Sequence, residues 1–276
     1  MYSVGLDMIS TILVVLLIFT SFLNQQFMFK FTSSYFSTVQ KRLFTDDLPN
    51  QSSILQTLRL HPYFITGFSD AESSFVLSIS KSSRLRLGWS VVACFQIVLH
   101  KKDLNLLYKI SEFFGGIGSV TIHKDRCIFM VNGHSDLVNV IIPHFDAYPL
   151  ITQKKADYLL FRKALLDFIQ PKKHLTLSGL EELIAIRASI NLGLNNNLKE
   201  SFPLVTPILR PEIKDQTIPH GMWMAGFMSG EGCFFAHARS SSKKVSIFIK
   251  IAQHVRDEEL IKSFVKYFGV VVIINL

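Results

Sequence analysis

Glu72 and Glu231 stand in matching surroundings, 231 − 72 = 159 residues apart. Each directly follows two small residues spaced four apart: Gly67 and Ala71 before the first, Gly226 and Gly230 before the second. On a helix, positions i and i+4 share one face, so two such helices could approach closely along these small residues. A carboxylate at a helix C-terminus opposes the helix dipole, and placing two of them side by side adds mutual repulsion. A divalent cation between them relieves both, and hard carboxylate oxygens suit Mg²⁺. A metal shared with a phosphate can activate water and stabilise the leaving oxygen in phosphodiester hydrolysis. The competing reading is two solvated glutamates at helix ends. Recurrence at the same motif position favours the metal-ligand reading.

The elements that must position these glutamates are also duplicated. YFITGFSDAESSF (63–75) matches MWMAGFMSGEGCF (222–234) at an offset of 159, and LHKKDLNLLYKISEFFG (99–115) matches QHVRDEELIKSFVKYFG (253–269) at 253 − 99 = 154. Two matches in the same order imply a repeated unit, with a shorter strand–strand hairpin in the second copy. In the first copy, His61 to Ala71 reads as a helix with Pro62 in its first turn. Ser74 to Lys81 alternates, with Phe75, Leu77 and Ile79 on a dry face and Ser74, Ser78 and Ser80 on a wet one. Trp89 to His100 is a second strand. Asp103 to Phe114 is a helix capped by Asp103 and ended by Gly115 and Gly116. Residues 117–123 and 127–132 form a hairpin around Lys124, Asp125 and Arg126. Helical patterns follow at 135–147, 153–169 and 176–192. The order is α+β, with an antiparallel sheet in an αββαββα unit.

Residues 58–194 are therefore the first domain and 195–219, with four prolines, a linker. Residues 220–276 are an incomplete second domain that stops after helix, two strands and helix. Residues 1–57 form a distinct hydrophobic and basic leader. Its apolar run at 8–23 is short for a membrane span and lacks a basic flank, which leaves membrane contact as a minority reading.

Composition sets wider bounds. Lys and Arg number 29 against 21 Asp and Glu, a net charge of +8 that favours polyanionic partners. Cys94, Cys127 and Cys233 show no paired spacing, which argues against zinc and a disulfide framework. All three read as buried apolar thiols in a reducing compartment.

ITGFSDAES (65–73) and MAGFMSGEG (224–232) resemble the paired motifs that name the LAGLIDADG homing endonucleases. YPLITQKKADYLLF (148–161), KKHLTLSGLEELIAI (172–186) and FMSGEGCFF (227–235) resemble the monomeric two-repeat branch found in fungal mitochondrial group I introns. The resemblance implies two pseudo-symmetric repeats with saddle-like antiparallel sheets, the second truncated. It also implies a motif-helix interface at Gly67, Ala71, Gly226 and Gly230, with Glu72 and Glu231 as catalytic metal ligands. A pocket glutamine of relatives falls at Gln253, where the first copy has Leu99. Departures are Ser73 in place of the motif's closing glycine, and Ser229 opposite Asp70, so Asp70 lacks a catalytic counterpart. A pocket lysine drawn from later in the second domain has no counterpart in this chain.

The activity so implied is site-specific, Mg²⁺-dependent cleavage of double-stranded DNA by a mitochondrial, intron-encoded monomer, weak or absent because of the truncation. The opening MYSVGLD resembles a cytochrome c oxidase subunit 1 exon, which would make the leader exon-derived. A sheet can lie in the major groove, and the residues in register with the glutamates would face the DNA. These are Ser74, Ser78, Ser80 and Ser82 in the first repeat, with His237, Arg239, Ser241, Lys244, Ser246 and Lys250 in the second. The alternatives are an RNA-binding intron maturase and a degenerate, non-catalytic remnant.

Overall fold

Repetition of helix, strand and strand places the same three-element start at the head of both repeats. The computed structural model describes residues 59–238 and 245–269. The leader with its 8–23 run, Arg239, Ser241 and Lys244 lie outside these residues. His237 and Ser246 fall in strands, but their side chains lie outside the described set.

The first repeat opens with α1 (Pro62–Glu72), β1 (Ser73–Lys81) and β2 (Trp89–His100), followed by α2 (Leu104–Phe113), β3 (Ser119–His123) and β4 (Arg126–Val131). Helical turns at His134–Asp136 and Leu137–Ile141 run into α3 (Ile142–Ala147); α4 (Lys154–Lys163) continues as wider π-helical turns over Ala164–Ile169. Next come α5 (Leu177–Ala188) and the short α6 (Asn196–Ser201). The second repeat supplies α7 (Gly221–Glu231), β5 (Gly232–Ala238), β6 (Val245–Ile251) and α8 (Glu258–Phe268). Both repeats belong to one compact unit beginning at Leu60.

The first sheet is antiparallel in the order β1-β2-β4-β3. Phe75, Leu77 and Ile79 of β1 are buried, as the alternation predicts, together with Phe95 and Ile97 of β2 and Phe129 and Val131 of β4. Phe75 gathers the helical layer, with ring centroids 5.3 Å from Phe145, 5.2 Å from Tyr158 and 5.5 Å from Phe161. Aromatic packing of this kind fastens sheet to helices over a large apolar area.

Local chemistry departs from expectation at three places. The Asp103 side chain makes no cap bond to α2. A tight turn over Lys101–Asp103 intervenes, and the His100 imidazole accepts the Lys102 backbone N–H there. Cys94 and Cys127 are buried, but Cys233 is exposed, because its place on β5 matches the wet-face Ser74. Finally, the stretch 195–219 contains α6 and is anchored by its own side chains. Arg210 donates to both oxygens of Asp157, at 2.6 and 2.9 Å, and Gln216 is buried.

The second sheet repeats the first register. Ser73 pairs with Ile97, and Gly232 pairs with Ile251; 73 + 159 = 232 and 97 + 154 = 251. Its core consists of Trp223, Met224, Phe227, Met228, Leu260 and Phe264, with Ile151 contributed by the first repeat. Phe234 and Ile251 are half-buried at its edge, while Ile249 is 52% exposed. Among the described residues, no helix is long and apolar enough to cross a membrane.

Candidate functional site

Helices α1 and α7 pack side by side with their backbones nearly touching. A Cβ on Gly67 would collide with the carbonyl oxygen of Trp223 and lie 2.9 Å from the Phe227 nitrogen. A Cβ on Gly226 would collide with the carbonyl of Phe64 and lie 2.7 Å from the Phe68 nitrogen. Further along, a Cβ on Gly230 would sit 2.6 Å from the Ala71 Cβ and 2.9 Å from Glu72 Cγ. Gly67, Ala71, Gly226 and Gly230 thus all lie on the contact between the helices, which run in the same direction. Their N-termini meet at His61 and His220, and their C-termini at Glu72 and Glu231.

Glu72 is half-buried, and burial followed by the Glu231 charge pushes its carboxyl above the ordinary glutamate range. Lys154, the first residue of α4, opposes that shift. Its ammonium donates to the carbonyls of Ser69 at 2.9 Å and Ala71 at 3.1 Å, in the last turn of α1. Burial lowers the Lys154 pKa to about 8, against the pull of Asp70, Glu72 and Glu231. The site is therefore two carboxylates at adjacent helix ends with one ammonium bonded to the last turn of α1.

Asp70 has a different task. It is buried and accepts from Ile151 N at 3.0 Å, Thr152 Oγ1 at 2.6 Å, Thr152 N at 3.3 Å and Trp223 Nε1 at 2.9 Å. Burial raises its pKa, with these hydrogen bonds and Lys154 opposing. The indole comes from α7, so Asp70 ties the two repeats together. Ser229, at the matching place in α7, donates to the Ala225 carbonyl at 2.8 Å within its own helix. Ser73 likewise donates to Ser69 O at 2.7 Å. Gln253 is half-buried between β6 and α8, beside His254, whose imidazole accepts the Arg256 N–H at 3.2 Å.

Among the described residues, no three His, Cys, Asp or Glu side chains gather into a metal cluster. A pair of carboxylates nevertheless suits a hard cation whose other ligands are waters and substrate phosphate oxygens. The donor chemistry fits a hard divalent cation better than a softer metal.

Ser78 and Ser80 are exposed on the face of β1 away from the core; Ser74 and Ser82 are half-buried. The register extends this face. Ser74 lies opposite Gln96, Ser80 opposite Ser90, and Ser78 opposite Val92. Through β4 and β3 the same face takes in Arg126, Thr121 and His123. On β6, Lys250 is exposed opposite Cys233, next to the apolar cross-strand pair Phe235 and Phe248. Sequence reading missed Gln96, Ser90, Thr121, His123 and Arg126 because cross-strand register was needed to find them. It also missed Lys154, whose signal was the Lys-Lys pair in YPLITQKKADYLLF, just after the Pro149 break.

A family profile described as LAGLIDADG endonuclease matches residues 65–165 and 224–276. A curated Neurospora crassa protein, probable intron-encoded endonuclease 2, is 44% identical over 222 residues, covering 76% of this chain and 48% of its own length. The chain thus spans about half the length of that relative. The solved structure of the I-SmaMI LAGLIDADG homing endonuclease bound to cleaved DNA superposes with a TM-score of 0.73 at 40% identity, over 76% of this chain and 72% of that one. I-SmaMI bound to an uncleaved DNA target in the presence of calcium ions gives the same TM-score and identity, over 76% and 74% of the two chains.

Proposed function

The chain belongs to the LAGLIDADG endonuclease family, and on that premise we propose that it is an intron-encoded, mitochondrial, site-specific endonuclease of double-stranded DNA. The observation that carries this reading is the convergence of Glu72 and Glu231 at the C-terminal ends of two helices packed through glycine. The two carboxylates have no attraction for one another; backbone packing holds them together, which is the arrangement a cation-binding site requires. One chain supplies both helices, so the site needs no second copy, and the protein acts as a monomer.

Glu72 and Glu231 would hold Mg²⁺, which lowers the pKa of bound water and neutralises charge on the phosphate and leaving oxygen when present. Lys154 offsets the negative charge of the pair before the cation arrives, and with a pKa near 8 its Nζ can hold or release a proton at working pH. By resemblance to the family, Gln253 would be a pocket residue supplied by the second repeat. The wet sheet faces dock into the major groove. Arg239, Lys244 and Lys250 supply charge to phosphate or guanine, and Ser74, Ser78, Ser80 and Ser82 with His237, Ser241 and Ser246 supply hydrogen bonds to base edges or backbone.

The test begins with a duplex library from which cleaved members are selected in Mg²⁺. Glu72→Gln and Glu231→Gln should each lower cleavage of the selected site by about 100-fold or more while leaving its affinity near that of the parent. Chelation of the metal should abolish cutting. Undiminished cleavage by both variants would remove these residues from the chemistry.

A further inference from the structure

Lys154 owes its place to the three residues before it, and these are gripped from three directions. From the first repeat, Asp70 takes the N–H groups of Ile151 at 3.0 Å and Thr152 at 3.3 Å. From the second repeat, Asp257 takes the N–H of Gln153 at 2.8 Å. From the connector between the repeats, Gln216 donates to the Ile151 carbonyl at 3.1 Å, and Arg210 to the Gln153 carbonyl at 3.0 Å. The Gln153 side chain completes the set by donating to the Ile213 carbonyl at 3.0 Å.

Gln216 and Asp257 are the joint of this arrangement. Each is 3% exposed. The Gln216 amide also donates to Asp257 Oδ1 at 2.6 Å, and its carbonyl accepts the Leu260 N–H at 3.1 Å in the first turn of α8. Buried polar groups whose partners are all present form rigid networks with one geometry. Asp257 has a repeat counterpart, since 257 − 154 = 103, and neither makes a cap bond to its own helix, but Asp103 is partly exposed whereas Asp257 is buried and accepts from Gln153 and Gln216. Asp257 therefore performs a task that the duplicated fold alone does not require.

We propose that Gln216 and Asp257 are positioning residues for Lys154, forming a clamp through which the connector and second repeat hold its Nζ on the Ser69 and Ala71 carbonyls, within electrostatic reach of the carboxylate pair. The part Lys154 plays in cleavage rests on the nuclease reading; the clamp itself rests on the hydrogen bonds alone. Because Lys154 begins α4, a displacement of Gln153 carries the base of its side chain along, and Nζ leaves the Ser69 and Ala71 carbonyls. A shift of about 1 Å in an oriented group can cost on the order of 100-fold in rate.

The experiment uses the full chain with Gln216→Met and, as a second variant that removes the acceptor for Gln153, Asp257→Ala. Each is made alone and combined with Lys154→Met. Single variants should lower the cleavage rate about tenfold or more with DNA affinity unchanged. In the Lys154→Met background they should cost little further, because residues acting through one group are not additive. A second arm needs no DNA: brief acetylation followed by mass spectrometry, with Lys155 as internal reference. Lys154 should be labelled several-fold faster in either variant than in the parent. Losses that multiply with Lys154→Met, or unchanged Lys154 labelling in both variants, would overturn the clamp. A parent protein that cuts no DNA would instead defeat the nuclease reading, and the labelling arm would still decide this one.

Discussion

The two ends of the α1–α7 pair are built on opposite principles. At the N-terminal end, His61 and His220 each accept a backbone N–H, from Tyr63 at 3.2 Å and Met222 at 3.0 Å, and so cap their helices. Their rings stack at 4.7 Å with an interplanar angle of 8°, and Tyr63 stacks on His220 at 5.2 Å. Every contact there is favourable when the imidazoles are neutral. At the C-terminal end, two like charges meet at the negative poles of two helix dipoles, with Lys154 as their counter-charge. Between the ends lie Gly67 and Gly226, where the backbones touch. The middle of the interface and its stacked end hold the acidic end closed against its own repulsion, leaving a carboxylate pair whose repulsion a bound cation would relieve.

The strongest way to break that difference is to separate the helices at their midpoint. Gly67→Ala or Gly226→Ala drives a methyl into backbone that has no rotamer to yield, and should cost about 3 kcal/mol or more, measured as a lower denaturant midpoint, with loss of cleavage. If both variants keep full stability, the close approach does not hold the acidic end together. Next in size, Glu72→Gln should eliminate most cleavage without lowering the thermal midpoint. Because burial and Glu231 raise the folded pKa of Glu72, folding carries a cost for its charged form, and the amide removes that penalty. A fall in midpoint would mean that the carboxylate stabilises the fold.

Lys154 sharpens the comparison through pH. Its pKa falls from 10.5 to about 8 on folding, so the cost of burying the ammonium is complete below pH 8. That cost is relieved as pH rises from 8 to 10.5. Metal-free stability should contain a rising contribution in that window which Lys154→Met abolishes; identical pH profiles for the two proteins would contradict it. The smallest effect belongs to the stacked end. Burial, followed by the neighbouring His220, lowers the His61 pKa below 6.5, so the stability it supports is present above pH 6.5 and is lost as pH falls through its folded value. The double variant His61→Asn, His220→Asn caps both helices without titrating. It should resist acid better, by no more than about 1 kcal/mol; equal acid sensitivity would show that the pair is inert.

Much of this molecule is legible in the chain itself. Small residues four apart, followed by glutamate and repeated at a fixed offset, determined two helices, their contact face and the pair of acids, because helical periodicity is local. Alternation of Phe75, Leu77 and Ile79 with serines determined which side of β1 is dry, for the same reason. The sequence did not determine what stands opposite those residues. Gln96 and Arg126 join the wet face only through strand register. Asp70, placed like a second acid of the motif, proved to be a buried tie to Trp223 across 153 residues. Lys154 reaches the last turn of α1 because Asp70, Asp257, Gln216 and Arg210 fix the chain before it. Those bonds join residues 57 to 104 positions apart, and no periodicity encodes such partners. Hydrogen bonds between distant buried groups form when packing brings the groups together and excludes water, so the tertiary structure alone decided them.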